Sequence, residues 1–554
     1  MTPNITFFSP KFHLTALSVA IVSSLLLTGC NDDDSNIVYY PNVPENISSF
    51  DAKGIDNALA KISDVGKAVT PDAKCGVVVE KFSYQTQGSA GEPTTATAAL
   101  MLPSGTSSDC QGERPLLLHA HGTATEQSYD FTQVGNGQNQ AGFRATLMAA
   151  NFAAQGYIVV VPNYAGYDKS NLNYHPYLNA KQQSGEMVTA LDMARRILNE
   201  QKSANNPAYQ MVKDSGKLFL TGYSQGGHVA MATARLLESQ HRPVTALAPS
   251  SGPYALVAFG DAIFGGNVNV GATAFAPLIA RSLQPANPKI YNQLSDIFNK
   301  PYNETMLPTQ GKFNDLIING KLPQTALFQA APTSIPALDA ISPAGKFGFA
   351  DKNYLIRTDY RAQYLMDVEK NPDPLLAGTG VLPIQNPQNE LRKSLQANDL
   401  RGYAPTMPTF ICGGNQDPTV FYDLNTGSMT AILQQIAQDP KKSLNVTVLD
   451  VDATNKTTRP NNRLTLIGSA SANTWQVNHV VDSVQAQFAK TIDATSTAAY
   501  QQAKAAGKSD MEAAQASQAA VLSSYHNQLA STACTQATRE FFDQNFIKVQ
   551  TNPS

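Results

Sequence analysis

Residues 218–227 have the sequence LFLTGYSQGG, which joins an apolar run to the start of an amphipathic segment. Leu218–Leu220 is typical of a short buried strand, and Gly226–Leu237 has the apolar spacing of a helix. Between them lies a G-x-S-x-G pattern centred on Ser224. A sharp strand-to-helix turn leaves no room for side chains at the flanking positions, which explains the glycines. Ser224 at the positive end of the helix is therefore a candidate nucleophile.

Apolar runs and amphipathic segments alternate on both sides of this pattern. The sequence predicts strands at Val77–Val79, Thr97–Leu102, Leu116–Leu118, Tyr157–Val161, Val244–Leu247, Thr409–Cys412 and Val446–Val451, and helices at Phe143–Gln155, Met187–Leu198 and Ser531–Phe542. Strands that alternate with helices form βαβ units. The predicted fold class is therefore α/β, with a mostly parallel sheet flanked by helices.

The alternation stops after Pro253 and resumes near residue 403. We interpret residues 51–254 and 403–554 as two parts of one sheet domain, and residues 255–402 as a large insertion between them, which the resemblance given below implies is a cap or lid. A second, Ala- and Gln-rich insertion at about 480–525 is helical in character.

Composition limits the class of protein. The 554 residues carry 40 Lys and Arg against 43 Asp and Glu, for a formal net charge of −3. This balance excludes a polybasic surface for nucleic acid. The 42% of hydrophobic residues is ample for a packed core.

The first residues have the features of an export signal. Lys11 precedes an apolar run, Leu14–Leu27, which ends at Thr28-Gly29-Cys30. This junction resembles the lipobox of bacterial lipoproteins, which implies removal of residues 1–29, acylation of Cys30 and a tether over residues 30–50. Asn31 is not the aspartate associated with inner-membrane retention, so the outer membrane is favoured. The alternative is an ordinary signal peptide with a chance cysteine.

Export to an oxidising compartment allows the four cysteines other than Cys30 to form disulfides. An even number suggests two disulfides. Cys75 and Cys110 flank a predicted pair of strands and are natural partners, which leaves Cys412 and Cys534 to pair with each other. Buried free thiols are the alternative.

A serine that attacks a carbonyl group needs donors for the resulting oxyanion and a base for its proton. The first donor is expected to be the backbone amide of Gln225, and the second that of Thr123 in the loop after Leu116–Leu118. His119 and His121 in that loop have the spacing of a zinc pair, but no carboxylate or cysteine cluster lies nearby, so a role in shaping the loop is favoured.

The chain resembles α/β-hydrolase-fold esterases, and more narrowly the secretory lipase family. The matching segments are His119–Thr123, Val161–Asp168, Gly222–Gly227 and Gly413–Val420, and the resemblance covers most of Cys75–Phe542. The cap matches by position and size. The resemblance implies hydrolysis of carboxylic esters through an acyl-enzyme intermediate, without a metal ion or an organic cofactor.

The chain order in this fold is Ser, then an acid, then His. Asp417 matches the acid loop, with Asp423 and Asp450 as alternatives. His526 immediately precedes the last predicted helix, where the fold places its base, and His479 is the alternative base. A Cys412–Cys534 bridge would hold the acid loop against the helix behind His526, which favours His526.

The resemblance implies a lipid or other hydrophobic ester as substrate, and the phenylalanine-rich cap and the lack of an arginine cluster agree with it. Tyr164 and Tyr167 follow a predicted strand and are expected to line the cleft. Alternative functions are a serine peptidase, a polymer or cell-wall esterase, and a non-catalytic binding lipoprotein on the same fold. His228 is expected to pack within its helix.

Overall fold

The computed structural model describes residues 43–453, 464–470 and 474–543, of which residues 474–479 are described by their backbone alone. The predicted signal peptide and Cys30 lie outside the described residues. Within the described ranges, no helix is both long enough and apolar enough to span a lipid bilayer.

Twelve strands are present in the described part of the chain. They are β1 (Glu45–Phe50), β2 (Gly76–Gln87), β3 (Pro93–Ser104), β4 (Gly112–Ala120), β5 (Ile158–Pro162), β6 (Val212–Tyr223), β7 (Ala246–Ser250), β8 (Phe328–Gln329), β9 (Phe349–Ala350), β10 (Thr409–Gly413), β11 (Asn445–Asp450) and β12 (Leu464–Gly468). All except β8 and β9 belong to one sheet, in the order β1-β2-β3-β5-β4-β6-β7-β10-β11-β12. The strands from β5 to β11 in this order are parallel, and antiparallel strands flank them.

The central strands are continuous apolar runs because helices cover both faces of a parallel sheet. Strand β5, for example, has the sequence IVVVP and is buried along its whole length. The described helices are α1 (Ala52–Ile62), α2 (Asp64–Ala68), α3 (Gly142–Asn151), α4 (Ala180–Ser203), α5 (Pro207–Gln210), α6 (Gln225–Ser239), α7 (Leu256–Phe264), α8 (Ala272–Leu283), α9 (Phe313–Ile318), α10 (Thr358–Lys370), α11 (Glu390–Ala397), α12 (Ser428–Ile436), α13 (Thr474–Ala505), α14 (Asp510–Ser524) and α15 (Ser531–Phe542). The predicted α/β fold class with a parallel central sheet is confirmed.

Strand β1 corrects the predicted tether, which was expected to reach residue 50. Residues Glu45–Phe50 instead pair antiparallel with β2 at one edge of the sheet. The segment alternates polar and apolar side chains only weakly, so its pairing depends on the β2 edge rather than on a local pattern.

The segment between β7 and β10 contains helices α7–α11 and the small sheet of β8 and β9. It has a hydrophobic cluster of its own, separate from the cluster around the main sheet. Buried ion pairs also hold it together: Arg392 contacts Asp261 at 2.6 Å, and Arg401 contacts Asp373 at 2.8 Å. The region predicted as a cap therefore has its own packed core.

The described residues form two disulfides, Cys75–Cys110 and Cys412–Cys534. The second joins β10 to α15 and closes a loop with a sequence separation of 122 residues, against 35 for the first. A link across a long loop restricts the unfolded chain, so each bridge stabilises the native state.

The double variant Cys412→Ala/Cys534→Ala is expected to lose about 2–5 kcal/mol of unfolding free energy. Urea denaturation under oxidising conditions measures the loss. The matched control is Cys75→Ala/Cys110→Ala, which opens a shorter loop and should lose less. A 412/534 variant as stable as the parent protein would contradict the expectation.

Candidate active site

Ser224 lies at the turn between β6 and α6, at the centre of the parallel strands. Its backbone has φ 62° and ψ −126°, a conformation that costs a non-glycine residue on the order of 1–3 kcal/mol. A methyl group on Gly222 would overlap the carbonyl oxygen of Gly226, and one on Gly226 would overlap that of Ala120. The turn is thus as sharp as the sequence pattern predicts, and it requires glycine on both sides of the serine.

The structure brings Ser224, His526 and Asp417 together in one chain of hydrogen bonds. The Ser224 hydroxyl lies 2.8 Å from Nε2 of His526, and Nδ1 of His526 lies 2.6 Å from Oδ2 of Asp417. The other oxygen of Asp417 accepts hydrogen bonds from the backbone amides of Thr419 and Val420. These hydrogen bonds fix the orientation and the tautomer of the imidazole, so that Nδ1–H donates to Asp417 and Nε2 accepts from Ser224.

His526 lies in a helical turn directly before the last helix. Residues Tyr525–Ala530 form a π-helical turn between α14 and α15. Such turns carry one extra residue per turn and are frequent at functional sites, because they reorient a side chain without ending the helix. The alternative base, His479, belongs to α13, and its side chain lies outside the described residues.

The neighbouring residue Tyr525 connects the base to the acid loop. Its hydroxyl donates to Asp452 at 2.6 Å and accepts from the Gln416 amide at 3.2 Å. Asp450, one alternative acid, accepts hydrogen bonds from the backbone and side chain of Asn415. Burial raises the pKa of Asp450 to about 7. Asp450 therefore supports the loop that carries Asp417 and does not itself contact the histidine.

Asp423, the other alternative acid, begins a π-helical turn that leads into α12. Within the described residues the hydrogen bond from His526 Nδ1 to a carboxylate goes to Asp417. The geometry thus singles out Asp417 among the three aspartates.

The two expected oxyanion donors lie beside Ser224. Gln225 is the first residue of α6, and Thr123 and Ser224 line the same cavity. Across the described ranges, neither backbone amide donates to a protein acceptor. The side-chain oxygen of Thr123 is 2.8 Å from the hydroxyl of Tyr177, which fixes the loop. Both amides are therefore available to a ligand.

His175 is a site residue that no sequence pattern indicates. Its Nδ1–H donates to the Ala165 carbonyl at 2.9 Å, and its Nε2 accepts from the Gln225 side chain at 2.6 Å. Burial lowers the pKa of His175 to about 3, so the ring is neutral and can accept this bond. His175 thus positions Gln225. It lies in a long loop with no local pattern that would have marked it.

The loop before Thr123 is supported by stacked aromatic rings. The His121 ring stacks on Tyr164 with a centroid distance of 4.0 Å, and Tyr167 contacts the same ring at its edge. Both tyrosines are fully buried and line neither cavity at Ser224, contrary to expectation. The stacked rings instead form the floor beneath the loop.

Two cavities meet at Ser224. One, of about 100 Å³, is almost entirely apolar and is lined largely by α7 and α8, including Phe259, Phe264 and Phe275. The other, of about 280 Å³, is lined by α3 and by polar groups that include Arg144 and Asn527. Ser224 is the one residue common to both linings.

His228 hydrogen-bonds through Nε2 to the Asn398 carbonyl at 2.8 Å and is fully buried, a packing role as expected. In the part of the chain that the structure describes, no group of three or more His, Cys, Asp or Glu side chains is arranged to hold a metal ion.

Comparison with known proteins supports the fold and a hydrolytic function. The dienelactone hydrolase family matches residues 137–248, a segment that contains Ser224 but neither Asp417 nor His526. A ligand-bound structure of the rice cell wall degrading esterase LipA from Xanthomonas oryzae is 27% identical, covers 74% of this chain and 91% of its own, and superposes with a TM-score of 0.56. Another structure of LipA covers 80% of this chain and 97% of its own, with 27% identity and a TM-score of 0.55.

A protein from Legionella pneumophila shares the fold at 20% identity, with a TM-score of 0.53 and coverage of 74% of this chain and 91% of its own. No curated protein matches the sequence. Together with the sheet order, these likenesses show an α/β-hydrolase fold and support a hydrolase.

Proposed function

We propose that this α/β-hydrolase is an exported serine esterase that cleaves hydrophobic carboxylic esters. The observation that carries the proposal is the hydrogen-bonded chain from Ser224 through His526 to Asp417, which opens onto an apolar cavity. A serine hydroxyl is a weak nucleophile by itself, and an adjacent imidazole that accepts its proton activates it.

In the proposed reaction, His526 Nε2 takes the hydroxyl proton as Ser224 Oγ attacks the ester carbonyl. Asp417 keeps the imidazole in the required tautomer and stabilises the imidazolium that forms. The backbone amides of Gln225 and Thr123 receive the developing oxyanion. His526 then passes its proton to the leaving alcohol, and water activated by the same imidazole hydrolyses the acyl-enzyme.

The apolar cavity favours an acyl chain over a charged or peptide substituent. Its lining comes mainly from the cap and includes Leu256, Ile263, Phe275, Ile279 and Phe298. Burying one methylene group is worth about 0.8 kcal/mol, or roughly a fourfold gain in binding.

The experiment is a chain-length series of p-nitrophenyl esters with the purified enzyme. We expect kcat/KM to rise about fourfold per methylene from acetate until the cavity is filled. Covalent labelling by a fluorophosphonate reports the nucleophile independently, with Ser224→Ala as the control. An unlabelled protein without activity on any ester would contradict the proposal and favour a binding protein, whereas cleavage of peptides in preference to esters would favour a peptidase.

A second candidate substrate is a cell-wall or other polymeric ester. The likeness to the rice cell wall degrading esterase LipA, at 27% identity, favours it. Isolated rice cell wall tests this candidate: release of acyl groups from the wall at rates comparable to those on soluble esters supports it.

We also propose that the protein is a lipoprotein anchored through Cys30, with the outer membrane as its site. The two disulfides are consistent with an oxidising compartment outside the cytoplasm. Metabolic labelling with an alkyne fatty acid should mark the wild-type protein and not Cys30→Ser. An unmarked wild-type protein would refute the anchor.

A further inference from the structure

The polar cavity beside Ser224 contains an arginine that contacts two aromatic rings but has no hydrogen-bonding or acidic partner among the described residues. Arg144 lies on α3 and is partly buried, with its guanidinium 5.2 Å from the centre of the Phe143 ring and 5.9 Å from that of Tyr223. Within the described residues it makes neither a hydrogen bond nor an ion pair, although an arginine has five donors.

Three fully buried arginines behave differently. Arg392 and Arg401 are paired with aspartates, and Arg361 donates to Ser342 and to two backbone carbonyls. Arg144 is only half-buried, and it keeps its charge because an arginine does not lose its proton in proteins. Arg144 thus lines the cavity with hydrogen-bond donors that no described residue uses, and these donors are open to a ligand.

The rest of the cavity does not neutralise this charge. No carboxylate is among its lining residues. Burial lowers the pKa of His119 to about 3 and that of His121 to about 4, so both rings are neutral at ordinary pH. Tyr129 and Tyr223 also line it and stay protonated, since burial raises the pKa of both phenols. The cavity thus has one cationic group and no anionic one.

The position of the cavity indicates which half of an ester it would hold. Asn527 and Gln528, the two residues after His526, line it and are exposed at its mouth. Because His526 protonates the leaving oxygen in the proposed reaction, the leaving group lies on the His526 side, and the acyl chain occupies the apolar cavity.

We propose that this polar cavity is a leaving-group subsite, and that Arg144 makes it selective for esters whose alcohol or phenol half carries a carboxylate. The inference rests on the proposed esterase function and names the substrate class of that site. A guanidinium binds a carboxylate through two parallel hydrogen bonds, which combines charge with orientation.

The test compares two butyrate esters of equal shape, 4-carboxyphenyl butyrate and its neutral counterpart 4-carbamoylphenyl butyrate. The selectivity is the ratio of their kcat/KM values, measured in the wild type and in variants. We expect the wild type to favour the anionic ester, Arg144→Gln to lower the ratio by about tenfold or more, and Arg144→Lys to retain part of it. Arg196→Gln, on the surface of α4, is the matched control for loss of an arginine.

A second measurement uses only the wild-type enzyme, and so does not depend on the folding of a variant. Benzoate should inhibit hydrolysis of p-nitrophenyl butyrate competitively and more strongly than benzamide. Equal inhibition by the two, or the same selectivity ratio in Arg144→Gln as in the wild type, would overturn the subsite. If the wild type hydrolyses neither butyrate nor p-nitrophenyl ester, the esterase proposal itself has failed, which is a distinct result.

Discussion

Replacing Ser224 with alanine is expected to lower kcat for ester hydrolysis by about 10⁴–10⁶-fold. The substitution removes the oxygen atom that lies 2.8 Å from His526 Nε2 and that would form the acyl-enzyme. The imidazole, its aspartate and the two backbone donors all remain. The residual rate would come from these groups alone, through polarisation of the carbonyl and orientation of water.

This variant should fold normally, because alanine replaces serine with the loss of a single atom and the unusual backbone conformation is already tolerated at this position. Circular dichroism and the urea midpoint check the fold. Ser239→Ala, at the exposed end of the same helix α6, is the control for a serine substitution. If Ser224→Ala kept more than a few per cent of wild-type activity with no fluorophosphonate labelling, another nucleophile would have to be sought.

Replacing His526 with alanine is expected to be nearly as severe, with a loss on the order of 10⁴-fold or more. Without the imidazole, Ser224 has no proton acceptor, and Asp417 becomes a buried carboxylate without its partner. His479→Ala is the matched comparison, because His479 is the alternative base suggested by the chain order. It should retain substantial activity.

Comparing His526→Ala with His479→Ala identifies the histidine that acts as the catalytic base. Steady-state kinetics on p-nitrophenyl butyrate gives both rates under one set of conditions. The reverse pattern, with His479→Ala inactive and His526→Ala active, would mean that the hydrogen bond between His526 and Ser224 is not the productive one. Loss of activity in both variants would require a stability comparison before either histidine is assigned.

The turn at Ser224 could be predicted from sequence because all its determinants are local. A strand, two glycines and a helix occur within about twenty residues, and each has a pattern of its own. Asp417 could be predicted for the same reason, because it lies in the turn that follows the apolar strand β10. The choice of His526 over His479 needed the position of the last helix and the cysteine at position 534.

Other features depend on contacts that no local pattern reveals. His175 is held by Ala165 and Gln225, which are distant from each other in the sequence, and strand β1 owes its pairing to the free edge of β2. The π-helical turn at His526 joins α14 to α15 and has no local sequence pattern of its own. The position of Arg144 in the cavity could not be predicted from the sequence, because a single arginine in a helix is usually solvated. Its lack of a hydrogen bond or an ion pair is visible only in three dimensions.

The long separation between the site residues along the chain has a consequence for the timing of activity. His526 is synthesised 302 residues after Ser224, and Cys534, which ties α15 to β10, comes later still. A growing chain therefore contains Ser224 for more than half of its synthesis before the histidine that would activate it has been made. We expect the nascent protein to be harmless to the esters of the cell that makes it until its last helix has emerged and docked.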